Sequence, residues 1–253
     1  MKKGLYFLIF MVLFSCNSMK EITVLPRESK QLIIVVTDSE TTTKGTMYLF
    51  ERSDKGWERA HDSIPVCVGK NGLAWGKGLH KENGISGFPA KKEGDGKSPA
   101  GIFTIGAVFG YASETEMKAL KMPYIPVSQK TECVDDVNSA YYNQIVAKDA
   151  LEKSGKFDWK SSEKMRSMGE VYEIGATVEH NIHPVNNGGG SCIFLHIWSG
   201  PNSYTAGCTS MSSGNMKRLA FWMDKSKKPV LVQLTKSLYE ELKGKWKLPD
   251  TEM

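Results

Sequence analysis

The chain's apolar positions first form one short continuous run and then settle into segments of strand length. Residues 5–14 (LYFLIFMVLF) are apolar throughout and follow Lys2 and Lys3. From residue 31 the pattern changes. Residues 31–37 (QLIIVVT) form a β-branched run, and residues 46–52 (TMYLFER) alternate. The turn Asp54-Lys55-Gly56 then leads to residues 57–60 and 63–69. Short runs of this kind, split by turn residues, predict a β-meander. Residues 101–105, 171–178, 192–198 and 229–234 predict further strands, the middle two forming a hairpin across the glycine-rich turn at 186–190. Helical spacing is confined to fewer places. Residues 113–121 read as a short helix, with Ser113 as N-cap and Glu114 and Glu116 in its first turn. Residues 142–153 and 161–168 are helix-prone, the second capped by Ser161 or Ser162. In residues 213–225, Met216, Leu219, Ala220 and Met223 fall on one side of a helix. The charged tail after residue 234 also reads as helical.

Residues 69–101 fit neither period. Nine glycines and two prolines break them into a long loop with short extended pieces, and loops of that length inside a compact domain are often functional. There is no internal repeat and no domain-sized linker. The pattern predicts one β-rich α+β domain over residues 31–253.

The first thirty residues are organised differently. Two lysines before a ten-residue apolar run, too short to span a bilayer, predict an export signal over residues 1–15. Leu13-Phe14-Ser15-Cys16 resembles a bacterial lipobox, where cleavage precedes the cysteine and its thiol takes a lipid. The alternative is an ordinary secretory signal followed by a chance cysteine. Both readings imply an exported protein of the periplasm or cell envelope. The first adds a membrane anchor on Cys16, with the polar residues 16–30 as a tether. Loss of Lys2 and Lys3 takes the formal net charge from +5 to +3. That is too small and too dispersed for a nucleic-acid partner. The lysines near the C-terminus read as a solvated face, or as a weak attraction for anionic cell-wall polymer.

Four cysteines remain beyond Cys16: Cys67, Cys133, Cys192 and Cys208. Export permits disulfides and leaves their pairing open. Cys67, inside an apolar run, reads as a small buried hydrophobe. Cys208 is different: it follows Gly207 in a small polar segment, Thr205-Ala206-Gly207-Cys208-Thr209-Ser210. A cysteine nucleophile needs a base in reach, and His196 lies eleven intervening residues upstream at the end of a strand-like run. His196 alternates with Phe194 and Trp198, so the three share a strand face. The functional reading makes Cys208 the nucleophile and His196 its base. Gly207 would allow the turn, amides of Cys208 and Thr209 an oxyanion site, and the helix near Ser213 a bias towards anions. The competing reading is a structural cysteine and a satisfied, half-buried histidine. His180 and His183 with Cys192 or His196 fit no standard zinc spacing, Pro184 disrupts a helix there, and no metal or other cofactor is expected.

His196, the spacer and Thr205-x-Gly207-Cys208 together resemble the signature of the YkuD-type L,D-transpeptidases. Asp95-Gly96-Lys97-Ser98-Pro99-Ala100-Gly101-Ile102-Phe103 resembles that family's Ser/Thr-Pro-x-Gly-x-Phe segment. The chain is most similar to a divergent branch with Cys133-Val134-Asp135-Asp136, Tyr141-Tyr142-Asn143, Trp159, Met165-Arg166 and His180-Asn181 before a glycine-rich turn. The resemblance covers residues 32–234. It implies a β-sandwich or mixed-sheet domain with peripheral helices. It also implies acyl transfer between peptidoglycan stem peptides through a Cys208 thioester, with His196 as base and Gly207 and Thr209 shaping the site. His180, Asn181, Trp198 and Ser210 become candidates for substrate contacts. The chain departs from the family pattern in its shorter spacer, in Ala206 where a second histidine is usual, and in Ser210 where an arginine is often found. Arg166 or Arg218 could replace that cation. A hydrolase (an L,D-carboxypeptidase) on the same scaffold, or a catalytically weak cell-wall-binding lipoprotein, are the alternatives.

Overall fold

The computed structural model describes residues 25–80, 85 and 87–251. The proposed signal and Cys16 lie outside them. The elements in chain order are β1 (Gln31–Thr37), β2 (Lys44–Ser53), β3 (Gly56–Arg59), β4 (Ile64–Cys67), β5 (Leu73–Trp75), β6 (Ser98–Gly110), β7 (Tyr124–Pro126), β8 (Thr131–Val134) and β9 (Ile145–Ala147). Then come α1 (Lys148–Lys153), β10 (Ser162–Lys164), a 3-10 helix (Met165–Tyr172), β11 (Ile174–Val178), β12 (Phe194–Ile197), β13 (Thr209–Met211), α2 (Ser213–Trp222), β14 (Val230–Thr235) and α3 (Lys236–Trp246).

The β-branched run of β1 is buried along almost its whole length, as a strand covered on both faces must be. It pairs antiparallel with β2 and parallel with β14. From β14 the sheet continues through β6, β11, β12, β13 and β4 and returns to β2, so the circuit closes. Closure leaves none of these strands as a bare edge. Leu32, Phe103, Leu195, Met211 and Val232 belong to its hydrophobic core. Two helices pack apolar stripes on it. In α2, Met216, Leu219 and Ala220 are buried behind the Ser212 N-cap, whose hydroxyl accepts from Asn215 N. In α3, Leu238, Tyr239, Leu242 and Trp246 are buried behind the Thr235 cap. The described end of the presumed tether packs too: Leu25 is buried, and the Ser29 hydroxyl donates to the Lys228 carbonyl.

A second, three-stranded antiparallel sheet, β10-β8-β9, lies beside the closed circuit. The Cys133–Cys192 disulfide ties it to the approach to β12. That bond removes Cys192 from any metal set, and no group of three or more potential ligands gathers among the described residues. Cys67 is free and buried, as expected.

Three helix expectations are corrected. At 113–121 the capping box forms, with Ser113 N and Oγ both donating to Glu116, but the backbone continues as turns. At 161–168 the chain pairs Glu163 with Cys133 as β10 and then tightens into the 3-10 helix. Only the last half of the helix-prone stretch 142–153 is helical; β9 precedes it. In each case propensity is a fraction of a kcal/mol per residue, which strand pairing and turn hydrogen bonds outweigh.

Candidate active site

Cys208 sits immediately before β13, at the end of the turn that leads into it. It is 7 % exposed and packs with Phe109, Tyr172 and Phe194. Parallel pairing of β12 with β13 sets Leu195 opposite Thr209 and His196 opposite Ser210. Because side chains alternate, Phe194, His196, Cys208 and Ser210 share one face of this strand pair. The Thr209 side chain is on the other face, where its hydroxyl donates to buried Gln233. The three residues of β13, about 10 Å of extended chain, separate Cys208 from α2, so the helix N-terminus does not abut the thiol.

The turn carrying Cys208 is fixed from below. The Cys208 carbonyl accepts from the hydroxyls of Thr205 (2.6 Å) and Ser98 (2.8 Å). Ser98 Oγ in turn accepts from Gly69 N, and Gln233 donates to the Pro99 carbonyl. The Ser98-Pro99-Ala100-Gly101 segment therefore clamps the Cys208 backbone. Gly101 (φ 136°) is required at its place, because a Cβ there would lie 2.1 Å from the His80 ring. The Gly207 amide is already bonded to Thr205 Oγ1.

Around the sulfur, Phe194 N donates to Sγ at 3.3 Å and Sγ donates to the Cys192 carbonyl at 3.4 Å. Cys192 adopts φ 53°, a left-handed conformation that L residues rarely occupy. Its amide is captured by Asn143 Oδ1, while Asn143 Nδ2 donates to the carbonyls of His180 and Asn181. The segments Tyr141-Tyr142-Asn143 and His180-Asn181 thus brace the Cys192 carbonyl that faces the thiol.

His196 is also 7 % exposed. Its Nδ1 bonds the Ile197 carbonyl at 2.7 Å, so a backbone group orients the ring and Nε2 is left as the basic nitrogen. Burial holds its pKa down to about 4, against the favourable carbonyl bond. Neither His196 nor Cys208 spends its hydrogen bonds on the other. Burial, followed by the nearby Glu163 charge, raises the Cys208 pKa, so the resting group is a thiol. Ser210 Oγ, opposite His196, has no hydrogen-bond partner among the described residues.

Cys208, Gly207 and Ala206 line a cleft of about 230 Å³ together with Lys91, Glu93, Asp135, Glu163, Ser191 and Cys192. Lys91 is its cation, paired to Asp95 at 2.6 Å. Arg166 instead stacks on Tyr111, and Arg218 bonds Asn215 and lines a separate depression with His61. His180 and Asn181 line a neighbouring cleft of about 330 Å³, which shares Lys91 with the first. Both are buried and spent on backbone partners: His180 Nδ1 accepts from Lys77 N, and its Nε2 bonds the Gly189 carbonyl. Trp198 is partly buried and lines neither cleft.

Sequence reasoning missed Lys91, Glu93, Glu163 and Tyr172. The Tyr172 hydroxyl donates to Glu163 Oε2 at 2.6 Å, and its ring meets the His196 ring edge-on at 5.3 Å. Tyr172 and Cys208 belong to one buried cluster, in which the hydroxyl and the sulfur act on each other's charge. Burial lifts the Glu163 pKa to about 7, with Asp135 and Glu93 adding to the rise and the Tyr172 bond opposing it. Asp135 carried a signal in the Cys133-Val134-Asp135-Asp136 segment; the others had none.

No curated protein matches the chain. Among solved structures, the helical cell shape determining protein Pgp2 from Campylobacter jejuni aligns at 14 % identity and a TM-score of 0.37. The alignment covers 81 % of this chain and 48 % of that one, so the chain spans about half the length of Pgp2. The family model of the L,D-transpeptidase catalytic domain, YkuD, matches residues 31–232, a span that runs from β1 into β14 and includes both His196 and Cys208. By that match the chain belongs to the YkuD family of L,D-transpeptidase catalytic domains.

Proposed function

We propose that the chain is a cysteine-dependent acyl transferase that cross-links peptidoglycan stem peptides, with Cys208 as nucleophile and His196 as its proton-transfer partner. The observation that supports this reading most is the face shared by β12 and β13, on which stand both a buried imidazole with an open Nε2 and the buried thiol that lines the cleft. Cys208 attacks the peptide carbonyl after the diamino acid of a donor stem. The C–N bond breaks, the D-amino acid leaves with a proton on its nitrogen, and a thioester remains. An acceptor amine then displaces the sulfur and restores the thiol. Phe194 N–H steadies the sulfur, while the amides of Cys208 and Thr209 are assigned to the oxyanion. Lys91 takes the place of the usual arginine as the cation for a substrate carboxylate. These steps call for no metal or organic cofactor. The enzyme acts outside the cytoplasm, held to a membrane by a lipid on Cys16, with residues 31–253 as a single catalytic domain.

Incubation with tetrapeptide muropeptides tests the reaction. Cross-linked dimers are the expected product, and shortened monomers in their place would mean hydrolysis. The deep burial of the thiol favours one second reading, a catalytically weak cell-wall-binding protein. In that case Cys208 would stay inert to a thiol probe near neutral pH.

A further inference from the structure

We propose that Tyr172 and Glu163 form a second proton route from Cys208: the Tyr172 hydroxyl, set between the sulfur and the Glu163 carboxylate, passes the thiol proton on to Glu163. The inference rests on the reading of Cys208 as nucleophile.

Three observations converge on it. Tyr172 meets both members of the proposed pair: it shares a buried cluster with Cys208, whose sulfur it influences, and its ring meets the His196 ring edge-on. The hydroxyl is fixed to Glu163 Oε2 at 2.6 Å. Glu163 lines the same cleft as Cys208, brought there because β10 pairs it with Cys133, whose disulfide partner Cys192 gives its carbonyl to the thiol. Tyr172 itself is wedged between Phe109 and Phe194, which fixes the direction of its hydroxyl.

The step balances. The Cys208 S–H bond breaks as its proton moves to the Tyr172 oxygen. The Tyr172 proton moves to Glu163, giving a neutral carboxylic acid. The thiolate is left facing Phe194 N–H and a restored Tyr172 O–H. One negative charge has moved from Glu163 to sulfur, and none has been created in the buried cleft. Transfer to neutral His196 would instead create two opposite charges there, which burial opposes. When the D-amino acid leaves, Glu163 gives its proton back to the Tyr172 oxygen, and Tyr172 passes its own hydroxyl proton to the leaving nitrogen. As the final acceptor, Glu163, lifted to about 7, is a stronger base than His196, held down to about 4, and a base near 7 suits neutral pH. The charged groups facing Glu163 are Asp135 and Glu93; the cation nearest the thiol is Lys91.

The test follows the rate of Cys208 alkylation by iodoacetamide, and of acylation by a carbapenem, against pH in the purified full chain. The natural chain should show a rising limb centred near pH 7 in both. Glu163→Gln, which keeps an acceptor for Tyr172, should lose that limb and slow both reactions ~10- to 100-fold at pH 8. Tyr172→Phe should do the same while keeping its ring packing, and the double variant should be no slower than either single one. A limb near pH 7 that persists in folded Glu163→Gln and Tyr172→Phe would overturn the route. Modification that persists in Cys208→Ala would instead overturn the nucleophile assignment, so the two failures are distinguishable.

Discussion

Asn143 holds the backbone on which the thiol rests, and its removal should be costly. It is 9 % exposed and makes three buried hydrogen bonds: 2.9 Å from Cys192 N, 2.9 Å to the His180 carbonyl and 3.0 Å to the Asn181 carbonyl. Asn143→Ala strands one amide and weakens the satisfaction of two carbonyls, at about 1–3 kcal/mol for the amide and less for each carbonyl. The residue also stands at φ 65°, where alanine costs about 1 kcal/mol more than asparagine. The sum is about 3–5 kcal/mol, a large part of the 5–15 kcal/mol that typically separates folded from unfolded chains. Asn143→Gly loses the bonds but not the backbone freedom, and should be about 1 kcal/mol milder. Asn143→Asp keeps the acceptor for Cys192 N but turns an oxygen towards two carbonyls, so it should do no better than alanine. Urea denaturation of the three variants reads these differences. Since Cys192 would lose its left-handed anchor, Cys208 alkylation should also change in Asn143→Gly. An alanine variant within 1 kcal/mol of the natural chain would refute the reasoning, and glycine equal to alanine would refute its backbone part.

Two further outcomes follow from the same packing. The Cys133–Cys192 disulfide spans 59 residues, so removing it with Cys133→Ala and Cys192→Ala together should cost about 4 kcal/mol by loop entropy; an unchanged urea midpoint would contradict this. His180 and His196 are both held down to about 4 by burial, so the unfolded chain binds their protons first. Their contribution is complete above about pH 6.5 and is lost as pH falls towards 4, at up to about 3 kcal/mol each. Stability measured from pH 7 to 4 should fall, and His196→Gln should flatten that fall. Glu163, held up at about 7, has the opposite sign. Its contribution is present at low pH and lost as pH rises through 7, so Glu163→Gln should gain stability relative to the natural chain at pH 8 and not at pH 4.

Much of the scaffold was legible because its signals are local. The bounds of β1 follow its β-branched run, α2 follows its Ser212 cap and apolar stripe, and the β11–β12 hairpin follows two apolar runs around a glycine-rich turn. Of the proposed site, the strand face shared by His196 and Cys208 was legible, because both residues sit in one short segment. Glu163 and Tyr172 reach Cys208 from more than thirty residues upstream. The Glu163 segment, rich in helix formers, gave no hint of strand pairing with β8. His180 and Asn181 stood out as polar residues before a glycine-rich turn, which reads as a binding motif. Their hydrogen bonds show that they brace the backbone, a role that depends on partners far away in the chain, including Asn143.

The central claim is that Cys208 forms the thioester. Intact-mass measurement after exposure to a carbapenem tests it most directly. One covalent adduct on the natural chain, mapped to the Cys208 peptide, slower in His196→Ala and absent from Cys208→Ala, is the predicted result. An adduct retained in Cys208→Ala, or none on the natural chain, would contradict the account.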